Sequence, residues 1–266
     1  MLNGKELILA TRPFAKENVA KSWLHVLSTM VIWLSLLVGT LFCPHWSLKL
    51  LCSIFAGFLI VRMFVIYHDH QHHAILNKSF IAKMLMTVYG LYNLAPTSIW
   101  KRSHDYHHKH NSKLFSASIG SFPIVTKKKF LAMTKGERRA YLATRHPIVI
   151  FGGYFSMFLF GMCVNSFLSS PKKHFDSLIA ILLHLAGSFF VTWFFGWQGL
   201  VFFVLIPFTV ACGIGSYLFY AQHNFPGVSF SDNTEWAYEK AALESSSFMK
   251  LSFFWRWVTA NIGYHH

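Results

Sequence analysis

Histidines crowd three short stretches of this chain: His68-Asp69-His70-Gln71-His72-His73, His104-Asp105-Tyr106-His107-His108 and a closing His265-His266. On a helix, residues three or four apart share a face. His68 and His72 can therefore aim at one metal ion, and His104, His107 and His108 stand at i, i+3 and i+4. Neutral imidazole is a good ligand for iron, zinc or copper. Asp69 and Asp105 are placed to accept ring N–H groups and so to orient the ligands behind the metal. Metal storage is a poorer fit, because storage tracts are low in complexity and need no helical spacing.

Long apolar segments must carry these clusters. The chain is 54% hydrophobic, 18% aromatic and only 13% charged, which is the balance of an all-α integral membrane protein. A spanning helix needs roughly 20 apolar residues. Four spanning helices are expected at about 23–43, 49–67, 178–196 and 199–221. The stretches 80–96 and 148–168 are read as interfacial or re-entrant. Lys172 and Lys173 after the latter, against the uncharged Gly196-Trp197-Gln198-Gly199, decide this by the rule that Lys and Arg collect in cytoplasmic loops. All three histidine clusters then form a cytoplasmic metal-binding cap on a single membrane domain covering residues 1–266. The charged first twenty-two residues, with Lys5, Glu6, Arg12, Lys16, Glu17 and Lys21, do not read as a cleavable signal peptide.

A net charge of +14 could suggest nucleic acid, but the basic residues sit between apolar segments and no nucleic-acid partner is expected. Lys127-Lys128-Lys129 and Arg138-Arg139 suit anionic lipid head groups, or an acidic electron carrier. Cys43, Cys52, Cys163 and Cys212 are scattered singly and read as buried small hydrophobes. His25, His45, His146, His174 and His184 stand alone and read as packing, loop or interface residues, and His70, His110 and His266 as bystanders near the clusters. Ser231–Trp236 reads as a polar cap segment or a solvated loop.

The boxes H-D-x-x-H and H-x-x-H-H, the stretch Tyr220-Ala221-Gln222-His223-Asn224 and the end Asn261-Ile262-Gly263-Tyr264-His265-His266 together resemble the membrane fatty acid desaturase family. The similarity is to the bacterial acyl-lipid, omega-6 (delta-12) type, and it runs from about residue 23 onward. It implies two non-haem iron ions, O2 as co-substrate, and removal of two hydrogens from an unactivated acyl chain in lipid metabolism and fatty acid biosynthesis. Carried over, box one gives His68 and His72 with His73 as a further candidate, and box two gives His104, His107 and His108. His223 is the ligand between boxes, and box three begins at His265, with Asn261 orienting a ligand or water. Box three should read H-x-x-H-H, so the chain is expected to be cut inside it. No haem or iron–sulfur module is encoded. The implied partners are a fatty acyl lipid or thioester substrate, membrane lipids, and an external electron donor such as a ferredoxin or cytochrome b5-like protein. The implied location is a bacterial inner membrane. The alternatives are a hydroxylase or ketolase on the same metal architecture, and a non-redox metal-binding or transport protein, which would need ionisable residues along its spans.

Overall fold

The computed structural model describes residues 4–114, 122, 124–232 and 234–264. The architecture is helical, and among these residues the one β-type pairing is an isolated bridge between Lys113 and Ser231. A short helix, α1 (Gly4–Thr11), precedes α2 (Val19–Phe42), which starts where the Asn18 side chain accepts from Lys21 N at 3.0 Å. α2 stops at Cys43, whose extended backbone is what a following proline favours. The chain turns at once into α3 (Trp46–Gln71), which at 26 residues is roughly 39 Å long.

Two shorter helices follow. α4 (Phe80–Tyr92) is capped by Ser79, and α5 (Thr97–His110) starts after Pro96. The polar stretch beyond holds α6 (Lys127–Ala132) and α7 (Lys135–Ala143), the latter closed by a Thr134–Glu137 capping box. Next come α8 (Pro147–Phe151), a π-helical segment (Tyr154–Val164) and α9 (Asn165–Ser169). This region is broken, and no helix within it reaches spanning length. α10 (Phe175–Gly199), a π-helical segment (Leu200–Leu205) and α11 (Ile206–His223) follow, then the short α12 (Tyr238–Glu244) and α13 (Phe253–Val258).

Three helical stretches are long and apolar enough to cross a membrane: Val19–Phe42, Trp46–Gln71 and Phe175–His223. The third is 49 residues long, about twice what one crossing needs, and it reverses at Gly196. That residue lies at φ 66° and ψ −167°, a conformation open to glycine. The two limbs run antiparallel. Phe195 packs on Phe42 (ring centroids 5.6 Å), whereas Asp176, at the other end of α10, bonds Ser98. The returning limb runs alongside α3, with Ser53 Oγ donating to Phe202 O at 2.6 Å near one end and Phe64 meeting Phe219 near the other.

α3 is the central helix, buried on every side from Leu59 to His68. Contact with α11 is close because Gly57 has no side chain; a Cβ there would lie 2.8 Å from Val210 Cβ. α2 shows the opposite pattern. Val26, Trp33 and Leu37 face inward, and Leu24, Leu27, Val31, Leu34 and Val38 form an exposed apolar stripe. Fully exposed to water, each such side chain costs about 1.5–3 kcal/mol; a bilayer removes that cost. α10 carries a similar outward face in Phe189, Phe190, Trp193 and Phe194. The chain is a membrane protein.

Candidate metal centre

Four histidines converge where α3 meets α5. His68 lies in the last turn of α3 and His72 is its cap, with the His72 N–H donating to His68 O. Their rings stand 4.5 Å apart. His104 and His108 are one turn apart on α5, with Nε2 atoms 3.0 Å from each other. Across the interface, the ring centroids of His68 and His104 are 4.6 Å apart and those of His72 and His108 are 4.7 Å apart. One nitrogen from each of the four lies within 4.8 Å of the others.

The surroundings fix which nitrogens are presented. His68 Nδ1 donates to Asp69 Oδ1 at 2.9 Å, so its Nε2 carries the lone pair. Burial lowers the pKa of His72 and His104, and pushes His108 down to about 3, aided by neighbouring imidazoles. His104 and His108 are thus neutral at pH 7, the form that ligates metal. A set of four neutral imidazoles fits a borderline transition metal, and the donor chemistry matches iron, zinc or copper.

A second pair adjoins the first. His107 Nε2 faces His223 Nε2 at 2.9 Å, and the His104 and His107 rings lie 5.9 Å apart. His223 Nδ1 is 3.0 Å from the Ser245 carbonyl. A carbonyl can only accept, so His223 Nδ1 carries the proton and Nε2 is bare.

Other expected site residues lie elsewhere. His73 is exposed, in the left-handed region (φ 59°), with Nδ1 2.8 Å from Asn77 Oδ1. Asp105 lines the open cleft beside His72 and His108 but is held by Lys101 Nζ at 3.0 Å. Asn261, also left-handed at φ 64°, lines a separate cavity with Arg62 and Arg256. His265, together with His266, lies outside the described residues. His70 is bonded to Ile75 O and His110 stacks on Tyr106. Among the lone histidines, His25 faces Arg62, His146 caps α8, His174 bonds Ser98 and His184 bonds Tyr154.

The chain also positions its site with residues that the histidine motifs do not include. Trp100 stacks under His104 at 4.7 Å and 14°. Asp176, at the start of α10, accepts from Ser98 N at 3.0 Å and from Ser98 Oγ at 2.5 Å, pinning the first turn of α5. The Trp100–His104 stack is an i, i+4 contact within α5, whereas the Asp176–Ser98 anchor arises from tertiary packing. Arg62 did carry a signal, as an arginine inside an apolar span.

A narrow apolar slot leads away from the histidines. His68, His104 and His107 line it with Ile60, Val61, Phe64 and Val65 of α3, Phe158, and Ala211, Cys212, Gly215, Leu218 and Phe219 of α11. Asn93, which is 2% exposed, is a polar residue in this wall.

The sequence pattern of the fatty acid desaturase family matches residues 44–266. The chain is also 30% identical over 270 residues to a fatty acid desaturase of Bacillus subtilis, covering 98% of this chain and 75% of that protein. The chain belongs to the fatty acid desaturase family. This is a family of oxidoreductases of lipid metabolism. Two cyanobacterial relatives are more distant. The sn-1 oleoyl-lipid 12-desaturase of Synechocystis is 23% identical over 87% of this chain and 66% of its own length. The sn-1 acyl-lipid omega-3 desaturase (ferredoxin) of Nostoc is 21% identical over 86% of this chain and 65% of its own length. The chain thus spans three quarters of the Bacillus desaturase and about two thirds of the cyanobacterial ones.

Proposed function

We propose that the chain is an O2-dependent acyl desaturase whose substrate chain lies in the slot between α3 and α11, beneath two histidine-held iron ions. The observation that carries this reading is the junction itself: two of the four clustered imidazoles, His68 and His104, line an apolar slot together with His107 of the second pair. His68, His72, His104 and His108 would hold one ion, and His107, His223 and His265 would contribute to the other, with His73 a further candidate. Asp69 orients His68, and Asp105 and Asn261 are kept as candidates for a supporting role.

When bound, the metals supply activation of O2 with two external electrons. Over the full reaction –CH2–CH2– becomes –CH=CH–, while O2, two electrons and two protons, with the two hydrogens removed from the chain, become two waters. The apolar walls hold the chain and exclude bulk water. The unprotonated Nε2 atoms of His68 and His223 are oriented by the bonds of Nδ1 to Asp69 and the Ser245 carbonyl, so little reorientation is needed. An open cleft lined by His72, Asp105, His108, Lys109 and Tyr238 gives the other side of the cluster to water. It suits an external reductant, such as a ferredoxin or cytochrome b5-like protein; the Nostoc relative is named for ferredoxin. The acyl group is carried on a membrane lipid, as the names of the cyanobacterial relatives suggest for them. α2, α3, α10 and the limb 200–223 are read as four crossings of a bacterial inner membrane, with α4 and the broken region 147–169 at the interface and the histidines on the cytoplasmic face.

The test is expression with ferredoxin, its reductase and a reductant, followed by mass spectrometry of the cellular acyl chains. New C=C bonds without added oxygen are expected. A new alcohol or ketone would replace the desaturase with a hydroxylase or ketolase, and bound zinc with no O2 consumption would return the non-redox metal-binding reading.

A further inference from the structure

We propose that the cavity between α2, α3 and α13 is a second binding site, which holds the phosphate of a membrane phospholipid headgroup on the face of α3 opposite the acyl slot. The two faces separate cleanly. Ile60, Val61, Phe64 and Val65 line the slot, whereas Arg62, Ile66 and Asp69 line this cavity of about 420 Å³.

Arg62 is 5% exposed. Its Nε donates to Thr29 Oγ1 at 3.1 Å, one Nη donates to the Trp257 carbonyl, and the other is 3.3 Å from His25 Nδ1. The guanidinium lies 4.5 Å over the Trp257 ring. These partners are neutral, and the ion pairs among the described residues are His68–Asp69 and Lys101–Asp105. A buried cation without a counter-ion is costly. A guanidinium has five N–H donors, and those three contacts leave two of them for a ligand. Arg256 lines the same cavity, and its Nε is buried with no hydrogen-bond partner. Asp69 is the acid on the cavity wall. One carboxylate already paired to His68, set against two guanidinium groups, leaves the cavity positive.

A phosphate answers this chemistry, because its oxygens accept several N–H groups at once and match the guanidinium fork. The location points to a lipid. α13 turns Phe253, Phe254, Trp255 and Trp257 outward, an aromatic face suited to the membrane–water boundary. Ser22 and His25, also on the cavity wall, sit in the first turns of α2, just past the exposed Lys21. The cavity thus opens at headgroup depth, where a lipid phosphate can enter while its tails stay along α2 and α13.

Native mass spectrometry of the purified full chain in neutral detergent, titrated with phosphatidylglycerol, tests the site. One tightly held lipid per chain is expected. Arg62→Gln and Arg256→Gln should each weaken its retention by about tenfold, and diacylglycerol, which has the tails without the phosphate, should not compete. Arg256 is only partly buried, so Arg256→Gln reads the site even if Arg62→Gln fails to fold, with circular dichroism reporting helix content. Unchanged phosphatidylglycerol binding in a folded Arg256→Gln protein overturns the proposal. Displacement of the lipid by an equal concentration of inorganic phosphate overturns it too, by assigning the cavity to a free anion.

Discussion

Asp69→Asn probes how His68 is presented. The carboxylate accepts from His68 Nδ1 at 2.9 Å and its side chain is 42% exposed. When His68 ligates a cation the ring gains positive character, which the carboxylate stabilises. At 2.9 Å in a water-like dielectric, the Coulomb term between unit charges is about 1.4 kcal/mol, or about tenfold in affinity. The half-exposed carboxylate belongs near that limit. This is the lower end of the 10–100-fold losses typical when a group that orients a metal-bound histidine is removed. Asparagine keeps the shape and can still accept, so the fold should be untouched. The assay is anaerobic Fe(II) titration against a competing chelator, with circular dichroism as a folding control. Two comparisons sharpen it. Asp105→Asn should cost less than about threefold, because Lys101 engages that carboxylate at 3.0 Å and the exposed pair is weak. His73→Ala tests the further candidate: a loss of about tenfold or more places it among the ligands, and a change below about twofold leaves it as the exposed, Asn77-bonded ring the turn presents. An Asp69→Asn protein that binds iron as well as the parent, or an Asp105→Asn protein that binds it worse than Asp69→Asn, would refute the reasoning.

Acid should destabilise the metal-free protein: buried His104 and His108 titrate below the ordinary histidine value near 6.5, His108 at about 3. Their contribution is complete above about pH 6.5 and is lost as pH falls toward the folded values, because the unfolded chain binds the protons first. A melting temperature in detergent that is flat between about pH 7.5 and pH 5 would contradict this. Gly196→Ala should destabilise by about 1–3 kcal/mol through its positive φ, although nothing lies within 4 Å of the new Cβ. Gly187→Ala, equally open but helical, should stabilise by about 0.5–1 kcal/mol; equal effects in thermal melts would show that Gly196 is not the hinge. Cys212→Phe, placed in the slot wall, should shift acyl products toward shorter chains, and an unchanged product profile would remove this slot as the acyl path.

The helical meeting of His68 with His72, and of His104 with His108, was legible because four-residue spacing is a local property of one helix. The turn at Gly196 was legible too, since an uncharged glycine-bounded tetrapeptide between apolar runs has few other uses. The placement of His73 is set not by local spacing but by the left-handed turn that ends α3, which puts its ring beside Asn77. Asn261 is placed by a similar left-handed turn after α13, on the wall of the arginine-lined cavity. Asp176 and Ser98 are 78 residues apart and form one of the anchors of α5; neither stands in a motif. The interruption of 147–169 by a π-helical segment also left no pattern that a mostly apolar run could report, because apolar periodicity carries no signature of the rare π winding.

α3 explains why the metal cluster and the slot cannot vary independently. Its last turns supply His68 to the cluster and, with Ile60, Val61, Phe64 and Val65, a wall of the slot. The eight helical rises from Ile60 to His68 fix roughly 12 Å of slot relative to the imidazoles. The other wall, α11, ends in His223 of the second pair. A slide of α3 against α11 therefore moves the slot and both histidine groups together, and on the proposed reading a shift of about 1 Å is enough to change which C–H bond of an acyl chain is presented. The contact that resists such a slide is the close approach of Gly57 to Val210 and Pro207, joined by the Ser53–Phe202 hydrogen bond. With the acyl chain in this slot, as proposed, positional selectivity would rest on helix packing about three turns from the histidines as much as on the imidazoles themselves.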